Sequence, residues 1–348
     1  MSIKKLAKNI LNKGQTYIYH KEQNEEAKRI LKIVETEGNR LDPYIRNICN
    51  EYSLDVFGDK KYAPWLYVYS AYAREFKEGW IPDNFYGEYV VPNLKGEYGK
   101  LCDRNAIINK ILKRTDSLDI GYYVNRLFLN AQHEIMHETK LKDILFAKND
   151  KIVYKIENSL QGKGVYFFNE KSFDINTIKK LGNGVFQEYI EQHPFFAEFH
   201  KTSVATIRLT STCDDYGNIN VKAGYLRFGR GNDTHVISNR QMRIPIEINT
   251  GKLFGTAFFP KSQSTQHLPG NTMEFSGRSL PAFEDCLTVV KRLHNHIPFI
   301  RCIGWDIILD KYNKVKIIEL NGGHNGISFN EMVQGPCFKG LGWEKLIK

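Results

Sequence analysis

Two carboxylates and one amide lie at the ends of two apolar runs near the C-terminus. The runs span residues 304–310 and 315–321 and flank a four-residue turn, a pattern that predicts a β-hairpin. Glu319 and Asn321 are two residues apart and share one face, and antiparallel pairing brings their end of the hairpin beside Asp306. Such oxygen ligands suit Mg²⁺ held jointly with substrate phosphates. The alternative is a hairpin whose acids are only solvated.

A lysine and a glycine-rich turn lie between two earlier apolar runs. Residues 152–156 include Lys155, residues 165–168 form the second run, and Gln161-Gly162-Lys163-Gly164 lies between them. A glycine-rich turn between antiparallel strands exposes backbone N–H groups that bind phosphate, while Lys155 and Lys163 add charge. The alternative is an ordinary hairpin with a basic tip. The sequence contains neither a G-x-x-x-x-G-K-[ST] loop nor a G-x-G-x-x-G loop.

A third apolar run ends in acids. Residues 185–190 lead through Gln187, Glu188, Tyr189 and Ile190 to Glu191. A strand that runs into a hinge can offer backbone N–H and C=O groups to an adenine edge, and Glu188 or Glu191 can bind ribose hydroxyls. The pattern is weak alone, because many apolar strands end in acids.

A competing motif is His133-Glu134-Ile135-Met136-His137, which matches H-E-x-x-H. On a helix this spacing places two imidazoles on one face beside a glutamate, as in zinc peptidases, and Glu157 would be the third ligand. However, Glu157 follows the strand of Lys155 and does not lie on a second helix. The alternative is a solvated polar helix or turn.

Composition narrows the class of protein. The chain has 348 residues, 42% hydrophobic residues and a net charge of +10, which are values compatible with a globular protein of two or three domains. Its basic residues are dispersed, which argues against nucleic acid as a partner.

Six cysteines without a C-x-x-C pair indicate reduced thiols in the cytoplasm. A basic amphipathic pattern over residues 1–13 allows peripheral contact with an anionic membrane surface, although such a helix more often packs on its own domain.

The pattern of hydrophobic residues along the sequence changes near residue 100. Residues 1–80 read as helical, and residues 79–99 are rich in glycine and proline and are expected to form a connector. Strand patterns dominate residues 150–260, and a helix is predicted over residues 280–296. The fold class predicted is α+β, with helices in one region and strands in groups.

The order of these segments resembles the ATP-grasp superfamily over residues 100–348, and most closely its sugar-transfer-associated group, which is linked to surface-polysaccharide biosynthesis. The residues that carry the resemblance are Gln187-Glu188-Tyr189-Ile190 with His193-Pro194, Ser203-Val204-Ala205-Thr206-Ile207-Arg208-Leu209-Thr210, Leu226-Arg227-Phe228-Gly229-Arg230, Gly304-Trp305-Asp306 and Ile318-Glu319-Leu320-Asn321.

The resemblance implies an ATP-grasp fold, in which two α+β subdomains grip ATP between antiparallel sheets. The expected organisation is a helical region and connector over residues 1–99 and an ATP-grasp domain over residues 100–348. The latter would divide into an ATP lid over about 145–190 and a metal-binding subdomain over about 191–348.

The resemblance also implies roles for individual residues. Lys155 would contact the α/β-phosphates, Gly162 to Gly164 would close over the β/γ-phosphates, and Gln187 to Ile190 would hold adenine. Asp306, Glu319 and Asn321 would hold two Mg²⁺ ions, for which Mn²⁺ is an alternative. Arg208 would meet the transferred phosphoryl group and, with Lys163, is a catalytic candidate.

Two positions depart from the family pattern. Asp103-Arg104 stands where the family often has an Asp-Lys pair; Arg104 can still bind phosphate, but as a planar fork and not a point charge. Ser238-Asn239 stands where the group commonly has Asp-Asn, so any role of that aspartate is missing or reassigned.

The expected activity is ATP-dependent ligation through an acyl-phosphate, forming an amide between an amino acid and an acidic sugar or sugar nucleotide such as a uronic acid. Arg227, Arg230 and Arg243 are candidates for binding the acidic sugar, or are ordinary surface charges. The alternatives are a kinase acting on a sugar hydroxyl, the zinc peptidase, and a polyanion-binding module without turnover. The reaction is expected in the cytoplasm or at the inner face of the membrane.

Overall fold

The computed structural model describes residues 3–113, 117–157, 164–200, 204–229, 241–267 and 274–347. Four of the predicted site residues, Gln161, Gly162, Lys163 and Arg230, lie outside these ranges, as does Ser238-Asn239.

Three helices form most of the N-terminal region, as predicted: α1 (Ile3–Thr36), α2 (Pro43–Phe57) and α3 (Ala63–Ala73). The start of α2 follows from its sequence, because Asp42 accepts a hydrogen bond from the Tyr44 N–H at 2.7 Å and Pro43 occupies the first turn. Gly58 ends the helix with a φ of 72°, a left-handed conformation that suits glycine.

The expected connector over residues 79–99 is helical, which corrects the sequence prediction. It contains α4 (Asp83–Phe85), a π-helical turn (Tyr86–Val90), α5 (Val91–Leu94) and the start of a 3₁₀ helix (Gly96–Asp103). Its prolines precede or begin helices, where the missing N–H costs little, and so they do not interrupt them. Helix α6 (Asn105–Ile111) follows.

A five-stranded antiparallel sheet follows α6. Its strands are β1 (Asp119–Val124), β2 (Leu127–Asn130), β3 (Lys151–Ile156), β4 (Val165–Asn169) and β5 (Gly184–Glu188), in the order β2-β1-β5-β3-β4. Helices α7 (Glu138–Phe146) and α8 (Ile175–Leu181) accompany it, and their Leu141, Leu145 and Ile178 share a buried core with Tyr154 and Phe186.

A seven-stranded antiparallel sheet occupies the C-terminal half. Its strands are β6 (Thr206–Cys213), β7 (Ile219–Phe228), β8 (Met242–Pro245), β9 (Ala257–Phe258), β10 (Ser264–Thr265), β11 (Cys302–Leu309) and β12 (Val315–Asn321), in the order β10-β9-β8-β7-β6-β11-β12. The helices are α9 (Pro194–Ala197), α10 (Phe283–His294) and α11 (Ser328–Gln334), and short 3₁₀ turns lie at Lys60–Tyr62, Pro260–Ser262 and Trp343–Leu346.

The two faces of the seven-stranded sheet differ in chemistry. Ile207, Leu209 and Trp305 are fully buried on one face and share a core with Val290 and Leu293 of α10. Because side chains alternate along a strand, residues 206, 208 and 210 lie on the other, polar face, as predicted. Part of that polar face is covered, since Tyr225 and Phe258 pack with Phe329 of α11 and with residues of α1 and α3.

The predicted α+β class is confirmed by the N-terminal helices and the two antiparallel sheets. Within the described ranges, no helix combines the length and the apolar character needed to cross a bilayer.

Candidate active site

A row of four polar side chains crosses the seven-stranded sheet. Glu319 pairs with Asp306, Asp306 pairs with Arg208, and Arg208 pairs with Tyr225 on successive strands. Residues paired in an antiparallel sheet project from the same face, so the four side chains are neighbours. Asn321 pairs with Gly304 and extends the row on the same face. The predicted convergence of Asp306, Glu319 and Asn321 is therefore present.

Asp306 is held between two arginines. It is 1% exposed, its Oδ2 atom lies 3.0 Å from Nη2 of Arg208 and 2.7 Å from Nη2 of Arg227, and its Oδ1 atom accepts from Nε of Arg208. Burial alone would raise the pKa of Asp306, but the two guanidinium groups outweigh it and hold that pKa at about 2. Burial lowers the pKa of Arg208, but the negative charge of Asp306 raises it, and the pKa of Arg208 lies above its ordinary value. The cluster is therefore ionised at neutral pH.

Glu319 differs from Asp306 in being open to solvent. Its side chain is exposed on the cleft side, yet protein surrounds it elsewhere, and it makes no hydrogen bond or ion pair with other described residues. This partial desolvation, together with the negative charge of Asp306, raises the pKa of Glu319, while Arg208 and Lys155 oppose that shift. The Nδ2 atom of Asn321 is buried and has no hydrogen-bond partner in the described part of the chain.

Lys155 comes from the other sheet. It lies on β3, and its ammonium is close enough to Glu319, Asp119 and Asp306 for their charges to raise its pKa. Burial is the larger effect and leaves the pKa of Lys155 below its ordinary value. The lysine of the five-stranded sheet thus lies within electrostatic range of the acids of the seven-stranded sheet. Both sides of this cleft carry mixed charges, since Asp119 accompanies Lys155 on one side and Arg208 and Arg227 accompany the acids on the other.

The predicted adenine hinge lies at the end of β5. The side chain of Gln187 is buried and donates to Oδ1 of Asp119 at 2.8 Å, and the N–H of Glu188 donates to the carbonyl of Leu118 at 2.9 Å. Tyr189 and Ile190 follow the strand and form no backbone–backbone hydrogen bond with other described residues. The free backbone groups of the hinge are therefore those of Tyr189 and Ile190.

Other predicted nucleotide-binding residues already have partners. Glu191 pairs with Lys311 at 2.7 Å, and Arg104 pairs with Glu157 at 3.1 Å just beyond the end of β3. The carbonyl of Gly164 accepts from the N–H of Ile156 at 2.9 Å, which closes the β3–β4 hairpin beside the phosphate turn. Glu188 has no side-chain partner among the described residues, so it is the acid that remains available next to the hinge.

A buried lysine supports the loop that follows the β11–β12 hairpin, and sequence reasoning missed it. Lys95 is 2% exposed; its Nζ atom donates to Oδ1 of Asn325 at 2.8 Å and to the carbonyl of Gly323, and it lies 2.6 Å from the hydroxyl of Tyr86. The Asn325 side chain in turn lies against Gly304, beside Arg208. A lysine flanked by the apolar Leu94 gives little signal in the sequence, because its burial depends on contacts more than 200 residues away.

The H-E-x-x-H segment does not have the geometry of a zinc peptidase. Residues 131–137 form turns and a bridge, and α7 begins only at Glu138. His133 has a φ of 67°, stacks on Tyr122 and donates from Nε2 to the carbonyl of Ala106 at 2.5 Å, while His137 caps α7. Across the described ranges, no group of three His, Cys, Asp or Glu side chains is arranged to hold a metal ion.

The donor set at the hairpin is compatible with a hard divalent cation. Glu319 supplies a carboxylate that is unpaired among the described residues and Asn321 an amide oxygen, which suit Mg²⁺ when substrate phosphates and water complete the coordination. Both oxygens of Asp306 already accept from Arg208 and Arg227, so Asp306 would bind a cation through a remaining lone pair. The repulsion that raises the pKa of Glu319 beside Asp306 is what a nearby cation would relieve. The unpartnered Nδ2 group of Asn321 is a hydrogen-bond donor, so it suits an acceptor such as a phosphate oxygen, while the amide oxygen is the atom that could bind the cation.

Comparisons with solved structures find similarities at low sequence identity. They include the biotin carboxylase domain of 2-oxoglutarate carboxylase from Hydrogenobacter thermophilus, in complex with MgADP, ADP and bicarbonate (14% identity, TM-score 0.42, 69% of this chain and 43% of that one). Two others are N5-carboxyaminoimidazole synthetase from Staphylococcus aureus with ADP (12%, 0.41, 68% and 52%) and L-amino acid ligase from Bacillus licheniformis (11%, 0.37, 69% and 44%). The chain thus spans about half the length of these proteins.

The chain has no significant match among proteins of curated function. The sequence model of the sugar-transfer associated ATP-grasp family, however, matches residues 92–342, which include both sheets and every described residue of the cleft. The protein has an ATP-grasp fold and belongs to the sugar-transfer associated ATP-grasp family.

Proposed function

We propose that the protein is an ATP-dependent ligase that activates a carboxylate as an acyl-phosphate and joins it to an amine. The observation that carries this proposal is the cleft in which Lys155 of one sheet faces Asp306 and Glu319 of the other. Basic and acidic side chains that meet in one cleft suit a nucleotide triphosphate whose charge is shared between the basic side chains and a divalent cation.

The nucleotide would lie along the five-stranded sheet. Backbone groups of Tyr189 and Ile190 are free to bind the adenine edge, and Glu188 is better placed than Glu191 for the ribose hydroxyls because Glu191 pairs with Lys311. Lys155 would contact the phosphates, and Arg104 can add charge near the end of β3. Gly162 to Gly164 keep their proposed role as the lid over the phosphates, although only Gly164 lies in the described part of the chain.

Glu319 and Asn321 would hold Mg²⁺ together with Asp306. When bound, the metal neutralises phosphate charge and helps orient the γ-phosphate for transfer. The contribution of Asp306 is wider, because it also fixes Arg208 and Arg227 in place. These two arginines are directed at the same region of the cleft and would stabilise the charge that develops on the transferred phosphoryl group.

The reaction has two steps that the residues can support. A carboxylate oxygen of the first substrate bonds to the γ-phosphorus as the bond to ADP breaks, which gives the acyl-phosphate. An unprotonated amine then bonds to the acyl carbon, inorganic phosphate leaves, and the amine nitrogen loses a proton. In both steps negative charge moves between oxygens near Arg208 and Arg227, so fixed guanidinium groups lower the barrier without reorganisation.

The substrates proposed are an amino acid and a uronic acid or its nucleotide derivative, in the assembly of a surface polysaccharide in the cytoplasm. The family description links the chain to sugar transfer, and the arginine-rich face of the sheet suits an acidic sugar. The uronic acid would supply the carboxylate and the amino acid the amine; the amino acid could supply the carboxylate only to a sugar that carries an amine.

The test is ADP release by the purified chain with ATP and Mg²⁺, in a matrix of amino acids and uronic-acid sugars. The proposal predicts that ADP release requires one member of each class and that mass spectrometry detects an amide. A stable phosphorylated sugar formed without any amine would identify the kinase alternative. Absence of ADP release in every pair, with retained nucleotide binding, would favour a binding module without turnover.

A further inference from the structure

Arg243 occupies an unusual position on the polar face of the seven-stranded sheet. It lies on β8, paired with Arg227 on β7 and with Phe258 on β9. Its guanidinium carbon lies 3.9 Å from the centroid of the Phe329 ring on α11, a stacking distance for an arginine on an aromatic face. The side chain is thus held between the sheet and α11 in a fixed orientation.

Arg243 lacks the acid that its neighbours have. Arg227 and Arg208 share Asp306, but no carboxylate among the described residues pairs with Arg243, and its Nε atom is buried without a hydrogen-bond partner. Burial, and then the positive charge of Arg227, act to lower its pKa, although a guanidinium stays charged in proteins. A half-buried cation that has no counter-charge and lies beside another cation is costly, and an anion would relieve both costs.

Arg278, in the same domain, has the carboxylate partner that Arg243 lacks. It also lies over aromatic rings, 5.2 Å from those of Phe195 and Phe199, but it pairs with Glu198 at 2.5 Å. The Nε atoms of both arginines are buried without a hydrogen-bond partner among the described residues, so the feature that distinguishes Arg243 is the missing carboxylate.

The surroundings of Arg243 add hydrogen-bonding capacity. The Oε1 atom of Gln241, two residues earlier, is buried and has no donor among the described residues. The hydroxyl of Tyr225, which is close enough to Arg243 to affect its pKa, makes no hydrogen bond with other described residues. An occupant would therefore combine an anionic group for Arg243 with hydroxyl groups for Gln241 and Tyr225.

The position of Arg243 separates this site from the phosphoryl-transfer region. Strands β11, β6, β7 and β8 are consecutive, and Arg243 lies two residues along β8 from Pro245, the residue in line with Asp306. The backbone of Arg243 therefore lies about 16 Å from that of Asp306, from three strand spacings of about 4.8 Å and two residues of about 3.4 Å each. Arg208 and Arg227 lie between the two ends. A group held by Arg243 thus belongs to a part of a substrate remote from the reacting atoms.

We propose that Arg243 is the anchor for the carboxylate or phosphate of a polyhydroxylated acceptor substrate, with Gln241 and Tyr225 binding its hydroxyl groups. This inference rests on the proposed function for the identity of the acceptor, but anion binding at Arg243 requires neither ATP nor turnover. It also assigns different tasks to neighbouring arginines, since Arg227 pairs with Asp306 and Arg243 binds the substrate.

The experiment is calorimetric titration of the full chain with sodium glucuronate, glucose 1-phosphate and, as a neutral control, glucose. The variants are Arg243→Met and Arg243→Lys, and Arg278→Met is the matched control. Loss of a charge-assisted hydrogen bond should raise Kd for at least one anionic ligand by about 10- to 100-fold in Arg243→Met. The Kd of Arg243→Lys should lie between those of the wild type and Arg243→Met, because lysine keeps the charge but loses the planar group that stacks on Phe329. Arg278→Met should change Kd less than about twofold.

Stability gives an independent readout. Removing a half-buried cation that has no counter-charge should leave the urea midpoint of Arg243→Met unchanged or higher, whereas a structural role for Arg243 would lower it. The preferred anion distinguishes a carboxylate acceptor from a phosphorylated one.

Three outcomes would overturn the proposal: equal binding of all ligands to wild type and Arg243→Met, no binding of either anion by the wild type, or displacement of the bound anion by MgADP in direct competition. Loss of ADP release with intact anion binding would count against the proposed reaction alone.

Discussion

Arg208 and Asp306 occupy paired positions on β6 and β11, and Nη2 of Arg208 lies 3.0 Å from Oδ2 of Asp306. Arg227 donates to the same oxygen at 2.7 Å, so one buried carboxylate holds two guanidinium groups. Asp306 therefore has a structural task as well as its proposed metal-binding task, and the two acids of the hairpin should respond differently to substitution.

The first prediction compares Asp306→Asn with Glu319→Gln. Asp306→Asn leaves two buried arginines without a counter-charge and should cost about 3 kcal/mol of unfolding free energy. Glu319→Gln breaks no ion pair and should change it by less than about 0.5 kcal/mol. Both should abolish ADP release. Urea unfolding and an ADP assay check this prediction. Turnover at the wild-type rate by Glu319→Gln would show that Glu319 is not a metal ligand.

The second prediction concerns Arg208. Because it would stabilise the transferred phosphoryl group, Arg208→Ala should lower kcat by ~10²–10³ and change KM for ATP much less. Arg208→Lys should recover only part of the loss, since lysine lacks the planar fork that binds both oxygens of Asp306. Steady-state kinetics at saturating ATP test this, with Arg278→Ala as the control. A kcat within about threefold of wild type for Arg208→Ala would show that the arginine is purely structural.

The third prediction tests the buried lysine. Lys95→Met removes the donor that holds Asn325 and the carbonyl of Gly323, so the loop after Asn321 should open more often. Hydrogen exchange in residues 322–327 should rise about tenfold, the equivalent of roughly one hydrogen bond, while exchange in β11 stays unchanged. Lys100→Met is the control, because Lys100 is exposed and pairs only with Glu97. Equal exchange in the two variants would contradict a bracing role for Lys95.

The fourth prediction is a pH dependence located in the N-terminal helices. Burial would raise the pKa of Glu88, but hydrogen bonds with His20 and Tyr62 and the charge of Lys61 lower it from 4.5 to about 2. A depressed folded-state pKa stabilises the fold above the unfolded value and loses that effect as the pH falls. The stability difference between wild type and Glu88→Gln should thus be constant at neutral pH and shrink between about pH 4.5 and pH 2. Urea unfolding across this range measures it, and a difference that grows toward low pH would refute the assignment.

The fifth prediction sets the ligase against the peptidase. His133 and His137 lie in a turn and at a helix cap, so the purified protein should contain no stoichiometric zinc. His133→Ala should keep ADP release, although it loses a stacking contact with Tyr122. Metal analysis by mass spectrometry and the ADP assay decide the matter; one zinc per chain that disappears in His133→Ala would revive the peptidase.

The sequence was most informative where local pattern and tertiary structure agree. Alternation along residues 206–210 predicted the two faces of β6, and the spacing of Glu319 and Asn321 predicted their common face. Both depend on the two-residue period of a strand, which packing does not alter. The hairpin that brings Asp306 to Glu319 is likewise local in the chain.

The sequence was least informative where remote segments meet. Arg208 and Asp306, which form an ion pair, are 98 residues apart in the sequence. Trp80 and Glu331, which are joined by a hydrogen bond, are 251 residues apart. The same limit explains why the sequence predicts a connector over residues 79–99, since Pro82, Pro92 and Gly96 lie at the starts of short helices there and do not interrupt them. Tertiary contacts determine whether such segments are helical, and no periodic pattern in a single sequence reports those contacts.

The chain crosses itself closely at Gly99 and Gly322, the residue directly after Asn321. A Cβ atom added to Gly99 would lie 2.4 Å from the carbonyl oxygen of Gly322, and one added to Gly322 would lie 2.5 Å from the carbonyl oxygen of Gly99 and from the sulfur of Cys102. Backbone atoms cannot yield as flexible side chains do, so even alanine at either position would force the two segments apart. This crossing works as a fixed spacer: it sets how far the end of β12 stands from the helices before it, and hence the width available to any molecule that enters beside Asn321.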